Sequence, residues 1–161
     1  MDNPTVGHSG NGDDVYRYTE CGLDNVIIKG VAFVTDDQGE QVLHIPAINC
    51  LHKTIALGIV VSQRRMSGNE LRFLRTELGL TQDELGQFVQ RDVRTVARWE
   101  GDETPIQKAP EVCVRALAVR GLQLDITLRG IVEVMSKRRR GSADEKILID
   151  GSKKNDYTLV A

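Results

Sequence analysis

Apolar positions recur at helical spacing through the middle of the chain. Leu71, Leu74 and Leu78 fall at i, i+3 and i+7. Leu85, Phe88 and Val89 share one face of a second stretch, and Val93, Val96 and Trp99 are spaced by three in a third. Each run has a start signal. Ser67 with Glu70, and Thr81 with Glu84, match the capping box, in which hydroxyl and carboxylate each take up an amide of the first turn. Asp92 suits the N-cap of the third run, at the positive end of the helix dipole. The pattern therefore predicts three short helices joined by tight turns. The second, of about eight residues, is too short to persist alone in water, so packing must hold it, as in a helix-turn-helix. On the third, Val96 points inward with Trp99 at its edge, while Arg94, Thr95, Ala97 and Arg98 face outward. A small, basic, outward-facing helix is what the DNA major groove accepts.

The flanks read differently. From Asn25 to Val34 the chain is rich in β-branched residues, Asp36–Glu40 is a turn cluster, and Gln41–Ile45 alternates polar and apolar. This predicts a β-hairpin. Pro46 opens a helix with Ile48, Leu51, Ile55 and Ile59 at its apolar positions. Hairpin plus helix, residues 15–61, is too small a module to stand alone; it pairs with a copy of itself, packs on the helices or meets a partner. Residues 62–67, with Gln63, Arg64 and Arg65, read as a linker, and 68–136 as the helical domain. Beyond the loop at 101–106, Ala109–Leu122 reads as a helix using Val112, Leu117 and Val119. Leu124–Met135 carries surplus apolar residues that close the core or form a dimer seam. A fragment of residues 62–122 is then expected to fold alone and to associate more weakly than the whole chain. Residues 137–161 hold a basic cluster and a weak C-terminal hairpin, whose exposed edge would seek a partner. The fold class is α+β.

Charge sharpens this picture only when the chain is divided. The net charge of −2 would not by itself suggest nucleic acid. Residues 1–60 carry 3 basic and 8 acidic side chains, 61–140 carry 15 and 11, and 141–161 carry 3 and 4. The positive excess lies where the helices are and ends in Lys137–Arg140; such residues would release counterions from DNA. Residues 1–14, polar and Gly-rich, read as a disordered lead without signal-peptide character. No run of 18 apolar residues suggests a membrane span, so the expectation is a cytoplasmic protein. Three scattered cysteines argue against a disulfide framework.

Candidate chemistry is sparse. Cys21, His44, Cys50, His52 and Cys113 form no C-x2-C pair, so neither metal nor another cofactor is expected. Gly7, Gly10 and Gly12 precede no strand–helix unit that would cradle phosphate. His8, His44 and His52 have no evident nucleophile partner. Tyr16 and Tyr18 read as core or hairpin-edge residues. An enzyme is not expected.

Leu80–Leu85, with its Thr81 and Gln82, joined to Val93–Glu100 at this offset, resembles the helix-turn-helix of Xre/Cro/cI-type regulators over about Asn69–Leu122. The resemblance implies a five-helix, lambda-repressor-like domain whose second and third helices read double-stranded DNA. It implies that Gln82 holds a backbone phosphate, that Val93, Arg94 and Arg98 line the recognition face, and that Arg75 and Glu100 form an internal ion pair. Arg91 and Thr95 complete the expected DNA-binding set. The family usually has Gly between the two helices, where this chain has Gln90, so a strained or altered turn is expected. The order of β-module and helix-turn-helix is also similar to MqsA-type antitoxins, but without their zinc-binding cysteine pairs. The expected function is a sequence-specific transcriptional regulator acting as a homodimer on a palindromic operator. One alternative is an antitoxin or antiactivator whose N-terminal module binds a protein partner, a toxin or regulator. The other is an interaction scaffold that has lost DNA binding.

Overall fold

The computed structural model describes residues 15–137 and 145–160. In chain order these give β1 (Val15–Arg17), β2 (Val26–Lys29), β3 (Ala32–Thr35), β4 (Gln41–His44), α1 (Ile48–Val61), α2 (Gly68–Glu77), α3 (Gln82–Val89), α4 (Val93–Glu100), α5 (Lys108–Gly121), α6 (Leu128–Ser136), β5 (Ile147–Lys153) and β6 (Asp156–Leu159). The described residues are thus α+β, with six helices. The lead 1–14 and the cluster residues Arg138–Arg140 lie outside them.

The β-branched run 25–34 does not make one strand. It breaks at Gly30, whose φ of +72° suits glycine and whose backbone passes so close to Ser152 that a Cβ would lie 2.9 Å from the Ser152 Cα. Only the second half, β3, pairs with β4 in the expected hairpin, in the register Phe33–Leu43 and Val34–Val42. The first half, β2, is a central strand of another sheet ordered β1-β2-β5-β6. β2 lies antiparallel to β1 and parallel to β5, with Ile27 opposite Leu148; β5 and β6 form an antiparallel hairpin. The tail hairpin therefore does form, and one of its edges is taken by β2.

Val26, Ile28, Ile147, Ile149 and Tyr157 turn their side chains to the core, where α1 lies with Leu51, Ile55 and Ile59. Gly58 allows close approach of α1: a Cβ there would meet Ile147 at 2.8 Å. Thr54 Oγ1 donates to the Tyr157 carbonyl at 3.0 Å, and the Tyr157 hydroxyl donates to the Pro46 carbonyl at 2.8 Å. His52 on α1 acquires partners that sequence reading did not find. Its Nε2 is 3.0 Å from the Tyr18 hydroxyl and its Nδ1 is 2.9 Å from Glu77 Oε1. The Tyr18 phenol is pushed up to about 12, chiefly by burial. It is a neutral hydrogen-bonding pin joining the sheet to α1 and α2, not a nucleophile at neutral pH.

Residues 62–67 are not a loose linker. Arg64 and Met66 are buried, and Arg64 gives Nη1 and Nη2 to the buried Glu70 carboxylate. On α5 the buried face also differs from expectation. Glu111 and Arg115 lie inside, while Val112, Leu117 and Val119 are half-buried. Arg115 reaches the C-terminal end of α1, where its Nη1 donates to the carbonyls of Ile59, Val60 and Ser62 at 2.8, 2.5 and 3.0 Å. Its Nη2 donates to Glu111 at 2.8 Å and to the Arg64 carbonyl at 3.1 Å. Helix ends leave carbonyls unpaired, and here a buried guanidinium from another helix takes them. Sheet, α1 and the later helices consequently share one core.

Candidate nucleic-acid interface

The two expected capping boxes and the Asp92 cap are formed. Ser67 Oγ accepts from the Glu70 amide at 3.3 Å and Thr81 Oγ1 from the Glu84 amide at 3.2 Å. Each carboxylate takes the N-cap amide in return. Asp92 accepts from the Thr95 amide at 2.9 Å and from its hydroxyl at 2.7 Å. The Thr95 hydroxyl is committed to that cap, so Thr95 is half-buried rather than fully outward. These hydrogen bonds, the Thr95 hydroxyl foremost, hold the Asp92 carboxyl below its usual range.

Between α3 and α4 lie only Gln90, Arg91 and Asp92. Gln90 has φ +55° and ψ +49°, the left-handed conformation, so the non-glycine residue accepts strain and the turn closes. The Arg91 amide then donates to the Gly86 carbonyl at 2.8 Å. Gly86 is required by this approach, since a Cβ would stand 2.6 Å from the Arg91 carbonyl oxygen. The close contact corrects the expected core face of α3. Leu85, Gly86 and Val89 are buried, while Phe88 is 53% exposed. At about 100° per residue, Phe88 lies roughly 100° from the centre of the buried arc.

On α4, Val96, Trp99 and Glu100 are buried. Val93, Arg94, Ala97 and Arg98 are exposed. Arg94 and Arg98 are one turn apart on that open side. Arg98 Nε stands 3.6 Å from Glu103 Oε2, an exposed pair of little energetic weight. Arg91 donates to the Gln90 carbonyl at 2.9 Å and to Gln107 Oε1 at 3.2 Å, which holds it beside the turn.

The far end of α4 is anchored by the ion pair that the resemblance implied. Arg75 Nε and Nη2 reach the Glu100 carboxylate at 2.5 and 3.1 Å, and Arg75 Nη1 donates to the Leu80 carbonyl at 2.8 Å. Burial pushes the Glu100 carboxyl up. The hydrogen bonds from Arg75 and Gln82 and the charges of Arg75 and Arg72 outweigh it and hold the group below its ordinary value. Gln82 Nε2 donates to Glu100 Oε2 at 2.8 Å. A primary amide has two protons, and Glu100 takes one of them. Gln82 thus has a structural duty that sequence reading did not show.

Among the described residues, no three His, Cys, Asp or Glu gather as a metal site. No helix among them is long and apolar enough to cross a membrane. Comparison with protein-family models, curated proteins and solved structures finds no match to this chain.

Proposed function

We propose that α2–α6 form a lambda-repressor-like DNA-binding unit and that the protein is a sequence-specific regulator of transcription. The observation that carries this reading is α4. One face is locked into the body by Val96, Trp99 and the Arg75–Glu100 pair, and the opposite face offers Arg94 and Arg98. Arginine is the usual partner of guanine O6 and N7 in the major groove. Arg91 and the second amide proton of Gln82 flank this face and suit phosphates, which position the protein without reading sequence. The exposed Leu128 and Val132 on α6 supply an apolar strip suited to a two-fold dimer, and hence to a palindromic operator.

The test selects bound sequences from a random DNA pool. Affinity is then measured for the preferred site and its single-base variants at fixed salt. Arg94→Ala and Arg98→Ala are each expected to cost about 1–3 kcal/mol on the preferred site and to relax preference at one position. Even loss across all variants would make them phosphate clamps. No enrichment of any sequence would sink the reading.

A second reading has its own observation. The β3–β4 hairpin exposes Phe33, Val34 and Val42, and a two-stranded hairpin is marginal in water. It suits a protein partner, as in an antitoxin or antiactivator. A folded regulator whose DNA affinity is unchanged by Phe33→Ser, but whose capture of a neighbouring gene's product is lost, would favour it.

A further inference from the structure

A cleft of about 480 Å³ opens at the seam between the sheet and the helices. Arg17, Asp24 and Asn25 line it from the β1–β2 side, Lys146 from the start of β5, and Ser67 and Asn69 from the N-terminus of α2. Arg64 and Asp102 close it. Its volume falls in the range of small-molecule sites.

Arg64 is the informative wall residue. It is 5% exposed, and its Nη1 and Nη2 are used by Glu70. Its Nε is buried without a hydrogen-bond partner. The Glu145 carboxylate stands 3.7 Å from it, too far for a hydrogen bond, and is 59% exposed. A buried guanidinium N–H without an acceptor is costly, and native structures seldom leave one so. Of the two acids in the wall, Asp102 turns its carboxylate to the Gly68 amide at 2.7 Å. Arg17 Nε is held by the Asp24 carbonyl at 2.8 Å, which aligns that guanidinium along the rim. Arg17, Arg64 and Lys146 thus line one cleft with Asp24, while the Gly68 and Glu70 amides at the start of α2 are already taken by Asp102 and the Ser67 hydroxyl.

We infer that this cleft binds a small ligand through an anionic group, carboxylate or phosphate, which displaces Glu145 and completes Arg64 Nε between Arg17 and Lys146. Asn69 hydrogen-bonds the ligand's polar body, and Asn25, whose Nδ2 already donates to the Glu145 carbonyl at 3.0 Å, offers its amide oxygen and second proton. Release of Glu145 gives up only its long approach to Arg64 and a 3.5 Å hydrogen bond from Ser62 Oγ, and the carboxylate passes to water that it already faces. Binding stands apart from any reading of DNA.

The experiment is an amide NMR titration of the full chain, at constant ionic strength, with inorganic phosphate, succinate or chloride. Saturable shifts at Asn25, Ser67 and Asn69 are expected with phosphate or with succinate, and which of the two saturates names the anionic group. Chloride should give none. Arg17→Gln combined with Lys146→Gln, both exposed positions, should weaken binding about tenfold or more without changing the fold seen in the spectrum. Glu145→Gln should tighten it, while Glu133→Gln on α6 should leave it unchanged. Linear shifts spread over surface cations, or affinity unaltered in the double variant, would overturn the inference.

Discussion

Single residues carry two of the constraints on the α3–α4 unit. Gln90 holds a left-handed conformation without being glycine. Gln90→Gly should therefore raise unfolding free energy by about 0.5–1 kcal/mol, since the steric penalty slightly exceeds the entropy that glycine adds to the unfolded chain. Urea melts at neutral pH decide this, and a loss of stability would show that the Gln90 side chain makes a compensating contact. Glu100 is the second case. Its carboxyl is held below its ordinary value when folded, so its contribution is complete above the ordinary glutamate range and fades as pH falls through the lowered value. Melts from pH 7 to 3 should show Glu100→Gln losing less stability on the acid limb than the native chain. At pH 7, Arg75→Met should cost about 3–5 kcal/mol, because it strands a buried carboxylate. A cost below 1 kcal/mol would mean that Arg72 and Gln82 suffice.

Elements show why some faces were legible and others not. Three cap signals near 67, 81 and 92 mark three helix starts, because capping acts within one turn and needs no partner from elsewhere. The core face of α3 was misread at Phe88. Periodicity alone weighs Phe above Gly, yet close passage of the Arg91 carbonyl puts Gly86 inside. Gly86→Ala should thus cost about 1–3 kcal/mol despite alanine's better helix propensity. Were it neutral or stabilising, the approach of the turn to α3 would not be as tight as the geometry shows. α5 was misread for a related reason. The apolar Val112, Leu117 and Val119 suggest its face in sequence, and only the end of α1, whose carbonyls Arg115 binds, makes the Glu111–Arg115 pair internal.

At the scale of the molecule, the expected boundary at residue 62 does not divide the fold. Arg115 binds carbonyls on both sides of it, and β2 finds its parallel partner about 120 residues further along the chain. A fragment of residues 62–122 should be unfolded or molten by circular dichroism and NMR, because it leaves Arg115 buried without the Ile59 and Val60 carbonyls. Truncation after residue 137 should also abolish cooperative melting, since Ile147, Ile149 and Tyr157 cover α1. A sharp, native-like transition in either fragment would restore the two-module view.

Local physics along the chain records the three capped helix starts, the α1 stripe at Leu51, Ile55 and Ile59 though not at the exposed Ile48, the turn at 36–40, the tail hairpin, and the outward arginines of α4. The Arg75–Glu100 pair was legible only through resemblance, since nothing local joins residues 25 apart. Tertiary structure alone decided the rest. The break at Gly30 depends on Ser152, the burial of Arg64, Glu111 and Arg115 depends on one another, and the Tyr18–His52–Glu77 link ties the β1–β2 connection to α1 and α2. Each is a long-range contact in which one group's environment is made by residues far away in the chain, and no periodicity or cap along the sequence records it.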